Sequence, residues 1–376
     1  MPTSFDTSTE FPIARQAIYL NHAASSPLPA VSAAVLRRYV DDREQLYHLY
    51  QAGTQDFDPT NLKSKLGRLL NAPSGSIGFV PTTTDGVSGV LNGLAWDRGD
   101  NVVLPANEFP GVVYACLNLG RLGVDVRLVP MTGRVLVDTL LEHTDRRTRA
   151  VVVSHVHWQT GDRVDIEALG RDCQTRGILS IVDAIQSMGA LPIDVVQEPV
   201  DILVAGTYKW LLGIQGLAVL YVSDRALDRI TPDRAGWLST VTSVHSEPEL
   251  VWAPGAQRFS VGGAADPAMM VLEASVEFLL DTGVDRVARH THMVLDQLLA
   301  GVRPLGGRVN SDLGARSSFL SLTTGSNSQD AALVRALAAD RIIVAQRGPG
   351  IRVAPHLHTS PEQIDRAIDA VRAFCQ

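Results

Sequence analysis

Only three of the 33 basic residues in this chain are lysines, and one of the three stands in an unusual place. Lys63 and Lys65 fall in NLKSKLGRLL, which reads as an amphipathic helix with both ammonium groups in water. Lys209 is embedded in LVAGTYKWLLG, among apolar side chains. A primary amine kept out of water loses proton affinity and becomes a nucleophile or base near neutral pH. Other apolar runs also close on polar groups. SIVD ends at Asp183, with Gln186 three residues on; AVVVSHV carries His155, with His157 two further on; DILVAG leads into Thr207, Tyr208 and Lys209. In open α/β sheets the ligand crevice lies outside the carboxyl ends of the strands, so these groups are expected to converge. An aspartate and a lysine at neighbouring strand ends, 209 − 183 = 26 residues apart, suit pyridoxal 5′-phosphate. The amine forms an imine with the cofactor aldehyde, and the carboxylate pairs with the pyridine nitrogen.

Such a cofactor also needs a phosphate site. FVPTTTDGVSGVLNGLA offers hydroxyls at Thr82, Thr83 and Thr84 and then a helix start, where free amides and the helix dipole favour an anion. The same Thr-Thr-Asp is equally an ordinary N-cap; Lys209 and Asp183 tip the balance toward phosphate.

Other groups carry two readings. His155 and His157, two apart on a strand, share a face and could hold a metal, and the pairs 290/292 and 356/358 repeat that spacing. Positions two apart on a helix diverge, however, and no acid accompanies any pair at ligand spacing, so no metal is expected and a metal-dependent hydrolase is the remote alternative. His155 reads as structural or cofactor-proximal. Arg347 is a second anion contact or a surface residue; Asn21 and His22, in YLNHAASS, line a substrate pocket or satisfy their own turn. Trp210 and Cys116 read as core.

The elements that must position these groups alternate. IGFVP, NVVLP, DVRLVP, AVVVSHV, LSIVD, DILVAG and LAVLYV, between residues 77 and 222, are short apolar runs with helical or glycine-punctuated stretches between most of them. That pattern predicts an α/β fold with a mainly parallel sheet covered on both faces. Residues 30–50 show helical periodicity, with Val31, Val35, Leu36, Tyr39 and Val40 on one side. Residues 230–265 read as loops. Two helices follow, then a βαββα tail that predicts a smaller α+β domain. The expected division is an N-terminal segment 1–20 packing on the small domain, a large cofactor-binding domain 21–262 and a small C-terminal domain 263–376.

At 45% hydrophobic and 19% charged the chain is expected to be globular, and a net charge of −7 argues against a general nucleic-acid binder. No run of about 20 apolar residues predicts a membrane span. The start MPTSFDTSTEF lacks signal-peptide character, and three cysteines, Cys116, Cys173 and Cys375, form no disulfide framework, so a cytoplasmic protein is expected.

The chain resembles the class V aminotransferases of fold type I, whose relatives include cysteine desulfurases, selenocysteine lyases, isopenicillin N epimerase and kynureninase. The resemblance is carried by YLNHAASSPLP, VPTTTDGVSGVL, NEFPGVVYA, SHVHWQTGDRVDI, VDAIQSMGALPIDV, AGTYKWLLGIQGLAVLYV, RFSVGG and IRVAPHLHTSPEQID. It implies that Lys209 is the lysine that joins the cofactor, Asp183 the partner of its ring nitrogen and Gln186 a contact of its phenolic oxygen. Thr84 and the backbone around Thr83 fall on the phosphate-binding turn, Thr207 is among the cofactor-binding residues, and Tyr208 replaces a frequent histidine whose place its hydroxyl can take. Phe109 falls where the family stacks a ring on the pyridine, and Arg352 matches the arginine that grips the substrate carboxylate. Gly263 stands where many relatives offer a threonine to the neighbouring subunit's phosphate, so its contact would be through backbone. Trp158 replaces an asparagine of desulfurases. AQRGPGIRV is short and lacks the desulfurase cysteine, which disfavours persulfide chemistry. The resemblance thus implies an amino-acid substrate and a homodimer with sites at the interface. The leading expectation is C–S cleavage of a cysteine S-conjugate. The alternatives are an aminotransferase, a decarboxylation-coupled oxidative deaminase or an epimerase.

Overall fold

The apolar runs between residues 77 and 222 form one seven-stranded sheet in the computed structural model, which describes residues 9–45, 57–131, 133–241, 249–262 and 265–376. A short β1 (Ile18–Tyr19) precedes it. The sheet consists of β2 (Ile77–Val80), β3 (Asn101–Pro105), β4 (Asp125–Val129), β5 (Thr148–Ser154), β6 (Leu179–Asp183), β7 (Ile202–Gly206) and β8 (Ala218–Val222), in the order β2-β8-β7-β6-β5-β3-β4. From β7 to β4 the strands are parallel; β8 runs antiparallel to both β7 and β2. The parallel reading thus holds for the strands whose ends carry the polar groups.

Alternation splits the buried side chains between two faces. Val151, Val153, Val182, Leu203 and Ala205 join one core, and Val152, Ile181, Ile202 and Val204 the other. Because both faces are covered, β6 and β7 are buried along their whole length, which is why they read as unbroken apolar runs.

A second, antiparallel sheet has the order β12-β13-β10-β9, from β9 (Arg308–Val309), β10 (Leu320–Thr323), β12 (Ala345–Arg347) and β13 (Gly350–Val353). The intervening β11 (Ile342–Ile343) pairs in parallel with β1, and Ile18 and Leu20 enter the apolar core of this smaller unit. Phe11 instead joins the core of the large sheet, so the described part of the N-terminal segment, from residue 9, packs on both units.

Two expectations need correction. Helix Asp266–Thr282, assigned by the boundary at 262/263 to the small domain, sends Ala268, Met269, Leu272, Val276 and Leu279 into the large-sheet core. The division between cores falls instead within helix Val284–Val302: Val287 belongs to the large core, Val294 to Val302 to the small one. The first long helix runs over Ala30–Glu44, residues 46–56 lying outside the described residues, and its one buried side chain is Ser32, while Val31 and Val40 are exposed. Among the described residues no helix is long and apolar enough to cross a membrane.

Candidate active site

Strand register sets the frame. Ser154 pairs with Asp183, and Asp183 with Val204, so the carboxyl ends of β5, β6 and β7 lie side by side. Lys209 sits in the tight loop after β7, closed by the Leu212 amide on the Lys209 carbonyl at 3.1 Å and the Gly213 amide on the Thr207 carbonyl at 2.9 Å. The Thr207 hydroxyl donates to the carbonyls of Ile214 and Leu217 at 2.7 and 3.1 Å. Its hydroxyl proton is thus engaged within the loop that carries Lys209. Gly189, at φ +92°, lets the loop backbone close in, since a Cβ there would lie 2.4 Å from the Trp210 carbonyl oxygen.

Lys209 is 9% exposed, and its Nζ lies 5.7 Å from the centre of the Tyr208 ring. Burial lowers its proton affinity; the nearby Asp183 opposes this, and Arg352 and Arg347 reinforce it. Asp183 is pushed the other way. Burial raises its pKa, the Ile185 amide at 2.9 Å partly compensates, and Glu108 adds to the rise. Glu108 is a buried carboxylate that the sequence reading missed. It accepts from the Ser154 amide and hydroxyl, both at 2.6 Å, and from the Phe109 amide at 3.0 Å. Its one sequence signal is its place beside Phe109 in NEFPG.

Helix Thr83–Gly93 begins at the same end of the sheet. Thr82 caps it, its hydroxyl accepting from the Asp85 amide at 3.0 Å, so the first-turn amides of Thr83 and Thr84 have no intrahelical acceptor. The Thr83 hydroxyl accepts from the Gly206 amide at 2.9 Å and ties this turn to the end of β7. Thr84 Oγ1 faces Gly111, where a Cβ would lie only 2.4 Å away. The Phe109 ring borders the same glycine and meets Trp158 edge to face.

Arg352, on β13, is 3% exposed. Its Nη1 donates to the Trp158 carbonyl at 2.8 Å, Nε has no partner, and the guanidinium lies 5.6 Å from the Phe319 ring centre. Burial, with Arg347 adding to it, lowers its pKa to about 10. Arg352 pairs across the hairpin with Ala345, and Arg347 lies two residues on, so the two arginines share a face. Arg347 is exposed and donates to the Gln346 carbonyl.

Gln186 is held from both ends. Its Oε1 accepts from the Trp210 indole at 2.9 Å and its Nε2 donates to the Ala23 carbonyl at 3.0 Å, leaving one N–H free. Tyr208 is half-buried, and burial raises its phenol pKa. Asn21 bridges to Ala354 through backbone. His22 is fully buried and stacks on His356 with centroids 4.1 Å apart, 5.0 Å from Trp210. It packs beneath the lysine loop rather than lining an open pocket. Gly263 lies outside the described residues.

The histidine pairs are separated in use. His157 bonds Thr160 and the Asn107 carbonyl, His290 the Thr359 carbonyl and His292 the Ser317 carbonyl, while His356 and His358 have ring centroids 6.3 Å apart. His155 is buried, with its pKa lowered to about 3. Among the described residues no group of three or more His, Cys, Asp or Glu side chains is placed to hold a metal.

Residues 18–372 match the family model described as Aminotransferase class-V. The chain is 27% identical over 353 residues to the uncharacterized aminotransferase YcbU of Bacillus subtilis, covering 93% of each protein. It is 28% identical over 309 residues to a probable cysteine desulfurase of Methanothermobacter thermautotrophicus, covering 80% of this chain and 76% of that protein. Among solved structures it is similar to the cystine C–S lyase C-DES in complex with its product cysteine persulfide. The TM-score there is 0.86 at 25% identity, over 96% of this chain and 98% of the other.

The chain belongs to the class V aminotransferase family and has the fold type I architecture. It is a pyridoxal-phosphate-dependent enzyme. Its residues fit that cofactor: a buried amine and acid at adjacent strand ends, two open helix-start amides, and a glycine whose missing Cβ leaves room between Phe109 and Thr84.

Proposed function

We propose that this enzyme cleaves the C–S bond of a cysteine S-conjugate by β-elimination, without a protein persulfide. The observation that carries this reading is the β12–β13 hairpin, which brings Arg352 to the site and turns through Gly348 and Pro349 with no cysteine. The three thiols lie elsewhere. Cys116 and Cys173 are buried, with pKa values pushed up by burial, and Cys375 is exposed at the end of the last helix. The likeness to a cystine C–S lyase supports the same chemistry.

Pyridoxal phosphate, when bound, supplies an aldehyde for the substrate amine and a ring that takes up the electron pair of a broken Cα bond. Lys209 would join that aldehyde, Asp183 would hold a proton at the ring nitrogen, and Phe109 would cover the ring. The amides of Thr83 and Thr84, the Thr84 hydroxyl and the Tyr208 hydroxyl would hold the phosphate, and the free N–H of Gln186 the phenolic oxygen. Arg352 binds the substrate carboxylate through the edge that carries its unpartnered Nε, with Arg347 as an outer cation. Lys209 Nζ, freed as an amine and depressed in proton affinity by burial, takes the proton from Cα and returns one to the departing sulfur. One water is consumed, and thiol, pyruvate and ammonia are released.

A homodimer in the cytoplasm completes the reading. Trp237, Val241, Leu250, Val251 and Val261 expose apolar side chains around the loops that lead to Gly263, the surface a second subunit would cover. The test is incubation with S-alkyl cysteines and assay of thiol, pyruvate and hydrogen peroxide. Equal thiol and pyruvate without peroxide is expected. Glutamate-dependent amine transfer with no thiol would replace the lyase by a transaminase, and peroxide formation by an oxidative deaminase.

A further inference from the structure

The two rings at the mouth of the site have a geometry that bears on which amino acid enters. Phe109 and Trp158 meet edge to face, with centroids 5.7 Å apart and planes at 82°. On one flank, the Phe109 ring and Gly111 border Thr84 at the helix start. On the other, the Trp158 carbonyl accepts from Arg352. The corner therefore reaches from the phosphate turn to the guanidinium that takes the substrate carboxylate. Phe109 is 41% exposed and Trp158 partly so, while the one polar group of the indole points at the Asn107 carbonyl, 3.4 Å away. With Phe109 turned to the cofactor, what remains for a substrate side chain is the apolar surface of the indole.

We propose that the Trp158 indole, in the aromatic corner it forms with the cofactor-covering Phe109 ring, selects amino acids with an apolar or aromatic group beyond Cβ. This inference rests on the carboxylate and amine sites of the proposed function, and is independent of which bond is then broken. An apolar chain laid on the indole leaves water with no polar atom unpaired, and each methylene buried strengthens binding by about fourfold. A charged group there would lose its hydration to a surface with no free donor. Substitution of the Trp158 side chain leaves its carbonyl, and hence the bond to Arg352, in place. Loss of the indole is thereby separable from loss of carboxylate binding.

The experiment titrates the pyridoxal-phosphate-loaded enzyme with glycine, L-aspartate, L-norleucine and L-phenylalanine, reading half-saturation from the visible absorbance of the cofactor, so that turnover does not enter. In the unsubstituted enzyme norleucine and phenylalanine bind tighter than glycine by at least about tenfold, and aspartate gains nothing over glycine. In Trp158→Ala the ratio of apolar to glycine affinity falls about tenfold, and Trp158→Phe restores most of it. Equal affinity for glycine and norleucine in the unsubstituted enzyme, or an unchanged ratio in Trp158→Ala, overturns the proposal. Thiol release from S-benzyl cysteine with a flat affinity series removes the corner and keeps the lyase. An intact series without thiol release does the reverse.

Discussion

Acidification from pH 7 to pH 5 is predicted to weaken the fold steeply, through histidines that the interior keeps neutral. His22, His155, His356 and His358 are buried, and desolvation lowers the pKa of each. That of His155 falls to about 3, that of His358 to about 4, and those of His22 and His356 well below the usual value. The other charges and rings facing the 22/356/358 group are His290, Phe11, Tyr19 and Trp210, none of them a carboxylate that would hold a proton in place. A histidine whose folded pKa is depressed binds its proton only in the unfolded chain across the window between the two values. Its contribution is therefore intact above about pH 6.5 and falls away as pH drops through that window. From pH 7 to 5, each such histidine removes about 2 kcal/mol. Asp183, whose pKa burial raises, acts in the opposite sense, so the net loss is smaller than four times that figure, yet still a large share of the roughly 5–15 kcal/mol that holds a fold together. The assay is urea unfolding followed by circular dichroism at pH 7, 6 and 5, on the protein and on His358→Gln. The substitution should reduce the pH 7-to-5 loss by about 2 kcal/mol. Equal losses in both proteins, or no loss in either, would show that these histidines are not held neutral in the fold.

Two further outcomes follow from the site. Arg352→Lys keeps the charge but loses the planar fork, and should raise the half-saturating concentration for glycine by about tenfold or more, with Arg352→Ala worse than Arg352→Lys; equal binding in all three would place the carboxylate elsewhere. Replacing Cys375, the only exposed thiol, by serine should leave thiol release from S-alkyl cysteines unchanged; its loss would reinstate a thiol mechanism.

The parts of this architecture that depend on local pattern were legible in the sequence. The strands ending at Asp183 and leading to Lys209 are buried on both faces, so their apolar runs mark both their extent and their place in a covered sheet. Lys209 was visible because a charged amine had no other reason to stand among apolar neighbours. What depends on long-range packing was not legible. Glu108 reads like any polar loop residue until the fold sets it beside Asp183, and Thr207 looks like a free hydroxyl until the loop closes on it. The boundary at 262/263 followed a loop-rich stretch, whereas the cores divide inside an unbroken helix that carries apolar residues toward both.

Lys209 is the amine proposed to hold the cofactor. Borohydride reduction of the enzyme loaded with pyridoxal phosphate, followed by peptide mapping by mass spectrometry, reads this out residue by residue, because the chain offers only Lys63 and Lys65 as competing lysines. The pyridoxyl group should appear on the peptide containing Lys209, with the yellow colour bleached. A label on Lys63 or Lys65, or none on any lysine of a coloured protein, would contradict it.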